Sequence, residues 1–267
     1  MIGEDPLDLR GRIAFVTGAG QGAGRAIALA LARHNAGGVA VNDFVADRAA
    51  AVVAEIEALG VRAIAAPADV GDHAAVKAAM ATVADALGLV TILVNNAGNA
   101  GPGIDMAPSP LFWESDPAEW DRYFHTNVRG VMNGCHAAIP GMIAQGGGRI
   151  VTIVSDAGRV GEARLAVYSA AKAGAAGFVR ALAKETGCHG ITCNAISLST
   201  LEPNIDEDRK AAFLVSDHAR TLTSRYAIRR LGRPDDVATM TLFLCSDGAE
   251  WITGQTYPVN GGYSFAV

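Results

Sequence analysis

The chain has 267 residues, 50% of them hydrophobic, enough to bury a sizeable core, and one α/β domain spanning 1–267 is expected. Its formal net charge of -5 and pI of about 5.7 argue against nucleic acid or an anionic membrane surface as partner, because either calls for a clustered excess of Lys and Arg. Neither a basic leader nor an apolar run approaching the roughly 18–20 residues of a membrane helix is visible, so a cytoplasmic protein with a small-molecule partner is expected.

In chain order, short β-branched runs alternate with Ala-rich stretches of helical period. The runs are Ile13–Val16, Val39–Val41, Val61–Ile64, Val90–Val94, Arg149–Val154 and Ile191–Ile196, with a seventh around Tyr257. Helices are predicted over 23–35, 47–59, 72–87, 117–144, 168–187 and 234–246, and Asp72 and Pro234 are start signals. This alternation predicts a Rossmann-like, doubly wound parallel sheet with helices on both faces, binding ligands outside the carboxyl ends of its strands. Two stretches read as irregular, 99–116 and 198–228, the second as a substrate-binding segment.

The cysteines at 135, 188, 193 and 245 form neither a CxxC pair nor a disulfide framework, so reduced thiols are expected. Cys188, His189 and Cys193 lack a fourth ligand at zinc spacing, and no metal is expected.

After the first strand comes Thr17-Gly18-Ala19-Gly20-Gln21-Gly22-Ala23-Gly24, opening a helix whose N-terminus can receive pyrophosphate. Gly18, Gly20 and Ala23 satisfy one dinucleotide spacing and Gly18, Gly22 and Gly24 another. In a chain with 31 glycines such a loop can also be a mere packing turn. Asp43, at the end of the second strand, strengthens the case: its carboxylate can accept ribose hydroxyls and repels a 2′-phosphate, which favours NAD over NADP. Arg48 nearby could still admit phosphate, whereas Gln21 adds no charge. Asp69 suits either the adenine edge or a turn.

Tyr168 and Lys172 stand four residues apart on one predicted helix face. A neighbouring ammonium favours the phenolate, which would bring Tyr168 closer to useful proton exchange. Alone, the pair could merely share a solvated face. Ser155 ends the fifth strand, Asn95-Asn96-Ala97-Gly98 ends the fourth, and Asn127 sits inside a helix, where Asn is unfavourable unless it serves something.

Taken in order, Thr17-Gly18-x-x-x-Gly22-x-Gly24, Asp69-Val70, Asn95-Asn96-Ala97-Gly98, Asn127, Ser155 and Tyr168-Ser169-Ala170-Ala171-Lys172 resemble the short-chain dehydrogenase/reductase family over residues 12–263. The resemblance extends to Leu231–Ala238, Ile252–Gln255 and Val259–Gly262. It implies a seven-stranded parallel sheet and a tetrad of Asn127, Ser155, Tyr168 and Lys172: Ser155 holding the substrate oxygen, Tyr168 exchanging its proton, Lys172 tuning Tyr168 and binding ribose, and Asn127 holding a relay water. It also implies NAD contacts from Gly18, Gln21, Gly22, Gly24, Asp43, Asp69, Val70, Asn95, Ala97, Gly98, Tyr168 and Lys172, and a homotetramer packed through the helices at 168–184 and 120–144.

One departure stands out. Where the family has Asn-x-x-x-Pro-Gly and then a threonine, this chain has Asn194-Ala195-Ile196-Ser197-Leu198-Ser199-Thr200-Leu201-Glu202-Pro203. Thr200 is the candidate replacement for the hydroxyl near the nicotinamide. Met106, Leu111, Phe112 and Trp113 could roof the site, pointing to a bulky apolar secondary alcohol or ketone of steroid, terpenoid or alicyclic type, or could patch a groove or subunit contact. Asp156 is read as a solvated acid or a substrate contact, and Arg159 and Arg164 as possible thioester-phosphate ligands. The competing readings are an oxidoreductase of 3-oxoacyl or 3-hydroxyacyl thioesters, and a non-catalytic nucleotide scaffold, which would be expected to lose tetrad members.

Overall fold

A computed structural model describes residues 5–98 and 110–265. Its centre is a parallel seven-stranded sheet in the order β3-β2-β1-β4-β5-β6-β7. The strands are β1 (Ile13–Val16), β2 (Gly38–Val41), β3 (Ala63–Ala65), β4 (Val90–Asn95), β5 (Gly148–Ser155), β6 (Ile191–Leu198) and β7 (Thr256–Val259). The helices are α1 (Gly22–Arg33), α2 (Ala46–Glu57), α3 (His73–Ala86), α4 (Trp120–Phe124), α5 (Gly130–Ala144), α6 (Ala157–Val160), α7 (Ala166–Thr186), α8 (Glu207–Leu214), α9 (Asp217–Thr223) and α10 (Pro234–Cys245).

The strand period of two divides the apolar residues between two cores. Ala14 and Val16, Ile92 and Val94, and Val151 and Ile153 pack on the face covered by α1, α2 and α10. Ile13 and Phe15, Leu93, Ile150 and Val154 pack on the face of α3, α5 and α7. Strand order reverses between β1 and β4, so the loops leaving their carboxyl ends diverge and open a crevice. Asp72 caps α3 by accepting the N–H groups of Ala74 and Ala75 at 2.8 and 3.1 Å, and Pro234 begins α10, as the sequence predicts.

Two expectations need correction. The single helix expected over 117–144 is broken by a π-turn at His125–Arg129 between α4 and α5. The side chain of Asn127 donates to the carbonyl of Tyr123 at 2.8 Å, the acceptor its own backbone N–H would use in an α-helix, and this competition accompanies the wider turn. The segment 198–228 is not wholly irregular, because it contains α8 and α9, capped by Asp206 and Ser216. Few apolar residues at helical period made these short helices hard to read. No helix among the described residues is long and apolar enough to cross a membrane.

Candidate active site

The ends of β1 and β4 are stapled together at the crevice. Thr17 Oγ1 accepts the N–H groups of Asn96 and Ala97, each at 2.9 Å, while Asn96 Nδ2 donates to the carbonyls of Thr17 and Gly18 at 2.9 and 3.0 Å. Two glycines are sterically required. Gly18 has φ +60°, and a Cβ on Gly24 would lie 2.2 Å from the Gly18 oxygen. Gln21 at the start of α1 makes no side-chain cap bond, so the positive end of that helix is left for an anion.

Gly18, Gln21, Asp43, Asp69, Val70, Ala97 and Gly98, together with Asn96, line one cavity of about 170 Å³ there. Asp43 is 7% exposed and accepts the N–H of Gly20 at 3.0 Å and that of Val45 at 2.9 Å, one on each oxygen. Each oxygen keeps acceptor capacity for a ribose hydroxyl. Asp69 serves both of its readings: it accepts the Gly71 N–H at 2.8 Å and lies 3.1 Å from His125 Nε2 while still facing the cavity. A glycine-lined helix start with a carboxylate at the next strand's end fits a dinucleotide.

The side chain of Asn95 is not where the sequence reading put it. Asn95 is 2% exposed, and its Nδ2 lies 3.5 Å from Cys135 Sγ and 3.4 Å from Thr152 Oγ1, inside the sheet. Asn95 is the last residue of β4 and falls on the Leu93 face, so its neighbour Asn96 turns to the crevice. Strand alternation was the signal that distinguishes them.

The other candidates converge beside this cleft. A Cβ placed on Gly98 would stand 3.1 Å from Lys172 Nζ and 3.3 Å from Asn127 Oδ1, so α7 and the π-turn deliver both groups to one point. Lys172 is 4% exposed and donates to the carbonyl of Ile153 at 2.9 Å. Burial pushes its ammonium down to about 8. Ser155 stands beside the Tyr168 hydroxyl; burial pushes the Tyr168 phenol above its ordinary range and the Ser155 hydroxyl opposes that rise. Tyr123 packs edge-on against the Tyr168 ring, with centroids 6.3 Å apart.

Ser155 opens into a second cavity of about 290 Å³, shared with Leu165, Leu198, Thr200, Leu222 and Tyr226. The altered loop after β6 is held by Tyr226, a residue that sequence reasoning missed. Its hydroxyl lies 2.6 Å from Ser199 Oγ and accepts the Thr200 N–H at 3.1 Å, while the ring is 4% exposed. Thr200 thus lines the same cavity as Ser155. Asn204 from that segment donates to the side chain of Gln21 at 3.2 Å. No local pattern links Tyr226 to a loop more than twenty residues earlier.

Asp156 is neither solvated nor a free substrate contact. It is 2% exposed and takes Ser197 Oγ at 2.7 Å, Asn260 Nδ2 at 2.7 Å and Arg159 Nη1 at 3.1 Å. Arg159 also donates to Ser264 Oγ and to the Phe265 carbonyl at 3.1 and 3.0 Å, so it ties down the C-terminal segment instead of offering itself to a thioester phosphate. Of the expected roof, Met106 lies outside the described residues, Phe112 stacks on Trp120 at 5.1 Å, and Trp113 is 76% exposed.

Comparison with known proteins identifies the family. A family model described as enoyl-(acyl carrier protein) reductase matches residues 18–264. Over 258 residues the chain is 38% identical to the 3-oxoacyl-(acyl-carrier-protein) reductase FabG of Staphylococcus aureus strain Mu50, covering 93% of this chain and 96% of that protein. Its fold matches a solved 7α-hydroxysteroid dehydrogenase complexed with NADH and 7-oxo glycochenodeoxycholic acid at a TM-score of 0.86 and 35% identity, covering 98% of each chain. A gluconate 5-dehydrogenase from Burkholderia cenocepacia, in complex with NADP and tartrate, matches at 0.86 and 29% identity over 98% of this chain and 99% of that one.

Proposed function

The chain belongs to the short-chain dehydrogenase/reductase family and is an oxidoreductase acting on CH–OH donors, and from that premise we propose that it is NAD-linked and interconverts a secondary alcohol and a ketone. The convergence of Lys172 and Asn127 at Gly98, with Ser155 beside the Tyr168 hydroxyl, carries this reading. Ser155 would hold the substrate oxygen, and the phenol of Tyr168 would give it a proton in reduction or accept one in oxidation. Lys172, between the Ile153 carbonyl and the cleft, would bind the nicotinamide ribose, whereas the expected bias of Tyr168 toward phenolate is outweighed by burial, which raises the phenol. Asn127 would hold a water that relays protons outward.

The nicotinamide, when bound, supplies or accepts the hydride. Gly18, Gln21, Gly22 and Gly24 would seat the pyrophosphate, Asp43 the adenosine ribose, and Asp69, Val70, Ala97 and Gly98 the remaining wall, with Thr200 beside the carboxamide. Asp43 supports NAD over NADP, because a 2′-phosphate would meet its charge. Complexes of similar proteins contain NADH in one case and NADP in another, so the preference rests on this carboxylate.

Leu165, Leu198 and Leu222 in the Ser155 cavity suit a bulky carbon skeleton of steroid, terpenoid or alicyclic type. Thioester chemistry is the second reading, favoured by the identity to FabG. A single cytoplasmic domain assembled as a homotetramer completes the proposal. Exposed Phe124 and Met132 on α4 and α5, and exposed Ala166, Ala170, Ala173 and Gly174 on α7, would form its packing surfaces.

The test is a panel of secondary alcohols and acyl thioesters with NAD and NADP, followed by reduced-cofactor absorbance. Turnover of ring alcohols with NAD supports the reading. Turnover confined to thioesters, or to NADP, replaces it.

A further inference from the structure

The cavity into which Ser155 opens carries an ionic cluster that the proton chemistry does not use. Glu162 lies between α6 and α7, Arg225 follows α9, and Tyr263 comes from the segment after β7. The Tyr263 hydroxyl donates to Glu162 Oε2 at 2.5 Å, and Arg225 Nη1 stands 3.5 Å from Glu162 Oε1. All three line the same cavity of about 290 Å³ as Ser155, Leu165, Leu198 and Leu222. Their side chains keep some access, with Arg225 55% and Glu162 33% exposed.

The cluster is held in place from beneath. Asp156, the residue after Ser155, binds Asn260 Nδ2 at 2.7 Å, and Asn260 Oδ1 accepts the N–H of Gly262 at 3.0 Å, fixing the turn that presents Tyr263. Tyr263 also packs on Tyr226, with ring centroids 5.5 Å apart. The phenol is held above its ordinary range by its bond to Glu162 and by that carboxylate's charge, so it stays a donor near neutral pH.

We propose that Glu162, Arg225 and Tyr263 form the specificity wall of the substrate site, selecting ketones and secondary alcohols that carry a second, uncharged hydroxyl group on an apolar skeleton. This rests on the dehydrogenase reading above and narrows its substrate class. A hydroxyl can donate to Glu162 and accept from Arg225 at once. A substrate carboxylate or phosphate that approached Arg225 would meet the like charge of Glu162, which already balances that guanidinium at 3.5 Å. A pure hydrocarbon would strip water from the cluster and return no hydrogen bond, a cost that sites built for hydroxyls use to reject their deoxy analogues. The three leucines take the skeleton.

The experiment compares cyclohexanones and decalones hydroxylated at each ring position with their deoxy and carboxylated counterparts, as kcat/KM with NADH and with NADPH. The best hydroxylated ketone is expected to exceed its deoxy counterpart by about tenfold or more. That ratio should fall toward unity in Glu162→Gln and in Tyr263→Phe. Because each ratio is taken within one protein, a general loss of folded enzyme cancels. A wild-type ratio near unity, a ratio that survives both substitutions, or a preference for the carboxylated ketone overturns the wall and leaves the dehydrogenase reading standing. Failure to reduce any ketone with either cofactor overturns both.

Discussion

The Lys172 ammonium lies 5.8 Å from the centroid of the Tyr168 ring and hangs from the Ile153 carbonyl, two residues before the serine that stands beside the same phenol. One strand end therefore sets the positions of base, acid and substrate anchor together. Tyr168→Phe should lower turnover by about 100-fold or more, the usual scale of a lost general acid–base. Near-normal turnover of the best substrate by this variant would sink the mechanism.

Burial holds the Tyr168 phenol above its ordinary value, so the phenolate fraction grows steadily through neutral and alkaline pH. Alcohol oxidation, which needs that phenolate as base, should rise with pH over this range. Ketone reduction, which needs the protonated phenol, should stay level over the same range, because the raised phenol remains protonated there. Initial rates in the two directions across pH 6–10 check this, and profiles that run parallel would count against Tyr168 as the shared group.

Lys172 titrates at about 8 in the folded protein against an ordinary 10.5. Between those values the unfolded chain binds the proton more tightly, so this group's contribution to stability rises with pH from about 8 to 10.5 and is least favourable at pH 7. Lys172→Met should therefore stabilise the fold at pH 7, by about 1–3 kcal/mol after the lost Ile153 bond is allowed for, while abolishing most activity. Thermal melting at pH 7 decides it: a lower Tm than wild type contradicts the expectation.

Asp43 meets the backbone through Gly20 and Val45, and its charge faces the cavity. Asp43→Asn keeps the shape and removes the charge. The ratio of kcat/KM for NADP to that for NAD should rise by about tenfold or more, as expected when a like charge next to a phosphate is neutralised. An unchanged ratio would show that some other group chooses between the cofactors.

Tyr226→Phe removes one oxygen that holds both Ser199 and Thr200. With two hydrogen bonds lost at about 1 kcal/mol each, the dissociation constant for NAD should rise several-fold to about thirtyfold through a loosened loop after β6. Titration of the purified variant with NAD measures it. A wild-type dissociation constant would mean that the loop does not need this anchor.

The glycine loop, Asp43, Ser155, Tyr168 and Lys172 were legible because each sits at an element end or on a fixed helical spacing, where local geometry dictates position. The seven strands were legible for the same reason, through runs of β-branched residues between Ala-rich helical stretches. Asn95 was misread because the choice between it and Asn96 depends on where β4 stops alternating. Asp156 was misread because its partners Ser197 and Asn260 lie 41 and 104 residues away, and no window of sequence reports such distances.

By itself, then, the sequence determined the parallel α/β architecture, the order of motifs at the strand ends and the chemical types that meet there, since these follow from periodicity and short-range spacing. Only the tertiary structure decided which asparagine enters the crevice, that Tyr226 secures the altered loop, that Asp156 pins the C-terminal turn, and that Glu162, Arg225 and Tyr263 meet beside Ser155. Those relationships come from chain crossings between distant elements, where packing of the two cores fixes the side-chain neighbours.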